Sequence, residues 1–162
     1  MGIAEDLLTL AGRLANPAPE DPEQASLRRS VSTAYYALFH FLVQEAVQGW
    51  NGTDAMRSSL ERKFEHSRMR SVSQSVAQDK WPGWSVPKLT PPSELQSVAQ
   101  AFVLLQEARH RADYDNTSAW TPMEARERIA EVQDAFRDWE RIRTHPAANE
   151  YLLSLLIGNK RE

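Results

Sequence analysis

Apolar residues recur along this chain at intervals of three and four, and no stretch alternates apolar with polar for long. Nine prolines divide the pattern, at 17, 19, 22, 82, 87, 91, 92, 122 and 146. Proline breaks helix interiors, so the proline-free intervals are where long helices fit. Leu7, Leu8, Leu10, Ala11 and Leu14 predict a short first helix over about 3–15. The rigid connector Pro17-Ala-Pro-Glu-Asp-Pro22 follows, with Asp21 as a cap and Pro22 in a first turn. Leu27, Val31, Tyr35, Leu38, Phe39, Leu42, Val43 and Ala46 predict a second helix over about 23–48, stopped by Gly49 and Asn51-Gly52.

A third helix is expected over about 54–77, capped by Thr53 or Asp54, with Met56, Leu60, Phe64, Val72 and Val76 inward. Residues 78–92 read as a long loop that Trp81 and Trp84 pin and four prolines stiffen. Ser93-Glu-Leu-Gln96 reads as a capping box for a fourth helix over about 94–114, with Leu95, Val98, Phe102, Leu105 and Ala112 buried. Thr121-Pro-Met-Glu124 is a stronger box, opening a fifth helix that runs to about Thr144 on Ile129, Val132, Phe136, Trp139 and Ile142. His145-Pro146 stops it, and a short last helix carries Tyr151, Leu152, Leu153, Leu155, Leu156 and Ile157. The pattern predicts an all-α protein, an antiparallel bundle of four long helices with short N- and C-terminal helices.

Composition narrows the function. At 162 residues the chain is expected to form a single domain, 1–162. It has no cysteine, which excludes disulfides, thiolate metal sites and a cysteine nucleophile. No run approaches eighteen apolar residues, and the acidic N-terminus lacks the basic region of a signal peptide, so a cytoplasmic location is expected. A net charge of −3 means that a nucleic-acid site would have to be a local patch. Fifteen of the nineteen basic residues are Arg, which offers a planar fork to carboxylates and phosphates where Lys offers a point charge.

Candidate chemistry sits where polar residues interrupt apolar stripes. The heptad series Leu95, Phe102, Arg109 brings a guanidinium to an inward position, and Asp113, four residues on, can pair with it. His110 and Tyr114 make a second such pair alongside. In the second helix Arg28, Ser32, Tyr35 and Phe39 share a face, and small residues at 30, 32, 34 and 37 admit a close neighbour. Residues 57–70 hold Arg57, Arg62, Lys63, Arg68 and Arg70 against Glu61 and Glu65. Arg62, His66 and Arg70, one turn apart, could form a phosphate-contacting stripe with a titrating imidazole. Glycine-rich phosphate loops and zinc-protease and nucleophile-elbow motifs are absent, His110-x-x-Asp113 lacks a third ligand, and neither metal nor cofactor is expected.

Arg28-Arg-Ser-Val-Ser-Thr-Ala-Tyr35-Tyr36-Ala-Leu-Phe-His40 resembles the second-helix signature of the HEPN superfamily. Arg109-His-Arg-Ala-Asp113-Tyr114-Asp115 is similar to the Arg-x-x-Ala-Asp-Tyr element of some bacterial branches. The resemblance spans about residues 4–157. It implies an all-α domain that forms a homodimer through the two signature helices. It also implies an RNA- or nucleotide-related binding role, with a nucleotidyltransferase-like antitoxin as partner where the member belongs to a toxin–antitoxin or defence system. Nuclease members carry Arg, four to six residues, then His. Here Arg62-x-x-x-His66 and Arg141-x-x-x-His145 are one residue short.

Two alternatives stand beside binding. In a metal-independent RNA endonuclease, Arg109 would hold the phosphate, His66 or His110 would move protons, Asp113 would orient them and Tyr114 would donate a hydrogen bond. In a helical adaptor without activity, the Arg–Asp pair is architecture. As a binding module, the chain would use Arg28, Arg62, Arg68, Arg70 and Tyr35 for contacts.

Overall fold

The computed structural model describes residues 2–16 and 23–161. The expected cap at Asp21 and first-turn Pro22 lie outside the described residues. Among the described residues there are seven helices and no strand: α1 (Ile3–Ala15), α2 (Gln24–Gln48), α3 (Asp54–Glu61), α4 (His66–Ala77), α5 (Ser93–Tyr114), α6 (Pro122–Ile142) and α7 (Pro146–Ile157). No helix among them is long and apolar enough to cross a membrane. The chain divides into two compact units, Met1–Phe41 with Leu104–Phe136, and Leu42–Val103 with Arg137–Glu162.

The third expected helix is two helices. α3 ends at Glu61, Arg62 and Lys63 form a turn, Glu65 is extended, and α4 starts at His66. The reason lies in phase. Each residue turns a helix by about 100°, so from Met56 to Val76 an unbroken helix would rotate its apolar stripe by about 200°. One straight helix cannot bury both ends of that stripe. The break lets Phe64 turn inward and lets α4 bury Met69, Val72, Ser73 and Val76 on a face of its own, while α3 buries no residue.

Two helix starts differ in detail from the pattern. Ser93 already lies inside α5: Pro92 supplies the first carbonyl acceptor, and the Ser93 hydroxyl binds the Glu94 carboxylate at 3.2 Å. α6 ends at Ile142, short of the expected Thr144, and His145 beyond the turn caps α7, its Nδ1 accepting the Ala147 N–H at 3.0 Å. The Thr121 cap forms as read, with Oγ1 accepting from the Glu124 N–H.

In the first unit, α2 is buried almost all round from Ser30 to Phe41. Its small residues Ser30, Ala34 and Ala37 are fully covered, and the Ser30 hydroxyl donates to the Ala11 carbonyl of α1 at 2.7 Å. α1 buries its alanines, Ala4, Ala11 and Ala15, whereas Leu7, Leu8 and Leu14 are half-buried and Leu10 is exposed. Phe41 of α2 stacks on Phe136 of α6 with centroids 4.2 Å apart.

In the second unit, α4 packs on α7, where the Ser73 and Tyr151 hydroxyls meet at 2.6 Å in a fully buried site. Burial there pushes the Tyr151 hydroxyl far above its usual ionisation range. The loop over 78–92 is pinned as expected. Trp81 is buried, the Trp84 indole N–H donates to Ser154 Oγ at 3.0 Å, and its backbone N–H donates to Glu150 Oε1. Gly83 passes the Glu150 carboxylate with φ of 64°, and a Cβ there would come within 3.2 Å of Oε2.

Tyr151→Phe strands the Ser73 hydroxyl and is expected to cost about 1–3 kcal/mol in denaturant unfolding. Ser73→Ala with Tyr151→Phe should cost less than the two single variants summed, because neither side is left unpaired. Strict additivity would show that the two hydroxyls are not coupled.

Candidate functional site

The end of α5 gathers most of the candidate residues within the first unit. Arg109 occupies the inward position that the heptad series assigns it, with 16% of its side chain exposed. Its guanidinium carbon lies 5.2 Å from the Tyr35 ring centroid and 5.8 Å from that of Tyr36. These two α2 rings meet edge to face at 5.3 Å. Tyr35 is fully buried, so its face presents the ring's negative π-density to the cation inside the fold. Arg109 Nη1 is 3.7 Å from Asp113 Oδ2, an ion pair longer than a hydrogen bond, and Ser32 Oγ donates to the same oxygen at 3.2 Å. Arg109 Nε is buried without a hydrogen-bond partner. The cation is therefore held in place by rings and one carboxylate, with donor capacity left over.

One residue further round the helix the surface opens. His110 is exposed and its ring lies 4.9 Å from that of Tyr114, which is 65% exposed. Arg111 lies over the buried Trp120 ring at 4.2 Å. Arg109, His110, Asp113 and Tyr114 thus share one helix end, with Arg109 turned in and His110 and Tyr114 turned out.

Arg28 acts as a clamp. Its Nη1 donates to the carbonyls of Ala112 and Asp115, both at 2.8 Å, and its Nη2 donates to the carbonyl of Ser118. The last carbonyls of a helix lack intrahelical partners, and this guanidinium fills that need for α5. The turn beyond is closed by Asp115, whose Oδ1 accepts from the backbone N–H and the hydroxyl of Thr117 at 2.9 and 2.6 Å. Those bonds, the side-chain one foremost, hold the Asp115 carboxyl below its usual range. Gln24 completes the enclosure. Its side-chain amide exchanges two hydrogen bonds with the Trp120 backbone, at 2.7 and 2.8 Å.

The remaining candidates belong to the second unit. His66 opens α4, Arg62 closes α3, and Arg68 and Arg70 lie on α4. The break at 62–65 means that these residues do not form one helical stripe. Arg68 donates to the Leu156 carbonyl at 2.9 Å and pairs with Glu65 at 3.3 Å, which ties α4 to α7. Gln24, Thr117, Ser118 and Trp120 escaped the reading of the sequence. The Asp115-Asn-Thr-Ser run carries a turn signal, whereas the carbonyl acceptors leave none. No protein-family model, curated protein or solved structure matches this chain significantly.

Arg28→Ala removes three bonds to carbonyls and should destabilise the protein by roughly 2–4 kcal/mol, with hydrogen exchange fastest over 112–118. Arg28→Lys should recover only part of this, since one ammonium cannot match the planar fork. The Asp115 turn is strengthened by ionisation. Its contribution is complete above the ordinary Asp range and is lost as pH falls through the lowered folded value. Exchange protection at Thr117 should therefore fall only in strong acid, and Asp115→Asn should remove that pH dependence.

Proposed function

We propose that the protein is a HEPN-like module that binds RNA or a nucleotide at the end of α5 and does not cut it. The observation that carries this reading is Arg109, a partly exposed cation held beside two tyrosine rings whose ion pair to Asp113, at 3.7 Å, is longer than a hydrogen bond. An anionic phosphate is the ligand such a group accepts, and Arg binds phosphate through paired donors. The exposed Tyr114 ring beside His110 gives a base a surface to stack on. Catalysis draws less support. His110, the residue after Arg109, is exposed and turned against the Tyr114 ring.

The antiparallel bundle is part of the same proposal. Arg28, Ser32 and Tyr35 on α2 meet residues near 115, 113 and 109, so α2 and α5 run in opposite directions in the first unit. Pairing with a nucleotidyltransferase-like antitoxin, in a toxin–antitoxin or defence setting, is the biological context that the resemblance offers.

The test is fluorescence anisotropy of labelled single-stranded RNA at several salt concentrations, with the RNA then run on a gel in the presence of chelator. Wild type should bind, more weakly as salt rises, and leave the RNA intact. Arg109→Ala should lower affinity about tenfold or more, and Arg109→Lys should not restore it. Tyr114→Ala should weaken binding by about 1–3 kcal/mol with unchanged circular dichroism. Absence of binding at low salt would refute the proposal. Cleavage by wild type that Arg109→Ala abolishes would establish the endonuclease instead.

A further inference from the structure

Helix α7 carries apolar residues on its outer face as well as its inner one, with Asn149, Glu150 and Ser154 its polar side chains. Its inner face buries Ala147, Ala148, Tyr151 and Leu155. Its outer face carries Leu152, Leu153, Leu156 and Ile157, of which Leu153 is 44% and Ile157 50% exposed. An isolated helix on a protein surface normally turns polar residues outward, and here four apolar ones stand there instead. The chain beside it repeats the anomaly. Trp50 is 39% exposed, Met56 is 51% exposed, and α3 buries nothing. Between them lies a recess of about 250 Å³, lined by Ala46, Leu60, Phe64, Leu152, Leu153 and Leu156 among others. It shares Trp50 and Leu60 with a second hollow of about 430 Å³, where Met56 lies.

We propose that this face of the second unit is a two-fold association surface, covered by a second copy of the chain. Three observations favour a second copy over another occupant. First, a two-fold contact needs protrusions and hollows on one patch. Here Leu153 and Ile157 project beside a recess with room for a leucine-sized side chain. Second, the outer face of α7 carries no charged side chain, and the two charges that line the hollows, Glu45 and Lys63, are opposite in sign, so two copies meet without opposing like charges. Glu45 at the rim is already held by Arg143 at 2.6 Å. Third, the exposed apolar area is on the order of 400–500 Å² per copy, a size typical of functional patches. Doubled, it reaches about 1,000 Å², the lower end of specific interfaces.

This surface differs from pairing through the signature helices, and it stands whether or not the α5 end binds RNA. Sedimentation velocity on the full chain, from about 1 to 100 µM, tests it in a range where a modest interface dissociates. Wild type should shift from monomer to dimer and stop there. Leu153→Glu and Ile157→Glu, both at exposed positions, should stay monomeric with unchanged thermal melts. The chain has no cysteine, so Leu153→Cys can be joined to itself by a short bis-maleimide, and the exposed Ser71→Cys on α4 serves as control. Efficient joining at 153 and little at 71 is the expected result. A wild type that stays monomeric, a dimer that survives both Glu variants, an open series of larger oligomers, or equal joining at 71 would each overturn the proposal. So would a monomer that uses this face to bind lipid vesicles or an amphipathic peptide instead.

Discussion

The first unit depends on where α5 is allowed to stop. A helix end leaves carbonyls without intrahelical partners, and each one that is partly covered and left unpaired costs more than an ordinary hydrogen bond contributes. Arg28 meets this need from α2 with one planar group and three acceptors, Ala112, Asp115 and Ser118. With that end fixed, Arg109 lies one turn back beside Tyr35 and Tyr36, and Asp113 lies within reach of both Arg109 and Ser32. The proposed binding group therefore inherits its position from a clamp whose donors are engaged by three backbone carbonyls.

Much of this arrangement is legible in the sequence because it follows from helical spacing. The positions of α1, α2, α6 and α7 follow from prolines, caps and apolar period, and the inward turn of Arg109 follows from seven-residue steps after Leu95 and Phe102. Asp113 as its partner follows from the four-residue rule. Hidden from the sequence was the acceptor side of each contact. Backbone carbonyls carry no residue identity, so Arg28 reads as a candidate ligand contact until the fold shows three of them around it.

The break between α3 and α4 is a different kind of miss, because its signal was present. Met56, Leu60, Phe64, Val72 and Val76 all fall four residues apart or at multiples of four, and four residues overshoot a full turn by about 40°. A stripe on that spacing winds around the helix, and over five turns it reaches the far side. Without glycine or proline between 54 and 77, the chain still breaks, because burying Phe64 and Met69 together contributes more than the few helical bonds lost at 62–65. Burial overrides propensity here.

The same reasoning bears on why this protein uses fifteen arginines and four lysines. Arg28 binds three carbonyls. Arg57 reaches the Trp50 carbonyl and Asp54, and Arg68 reaches the Leu156 carbonyl and Glu65. Each joins a carbonyl to a second acceptor in a different direction, which suits five donors fixed in one plane better than a single rotating ammonium. A chain with no cysteine and long helices joined by loops needs such ties at the helix ends, where backbone acceptors collect. Arg109 breaks the pattern. It makes one long ion pair and keeps a buried Nε unpartnered, although it is more enclosed than Arg57 or Arg68. An architectural arginine in that position would be expected to spend its donors. That this one makes a single long ion pair is what supports the proposal of a ligand, and not another tie, at the end of α5.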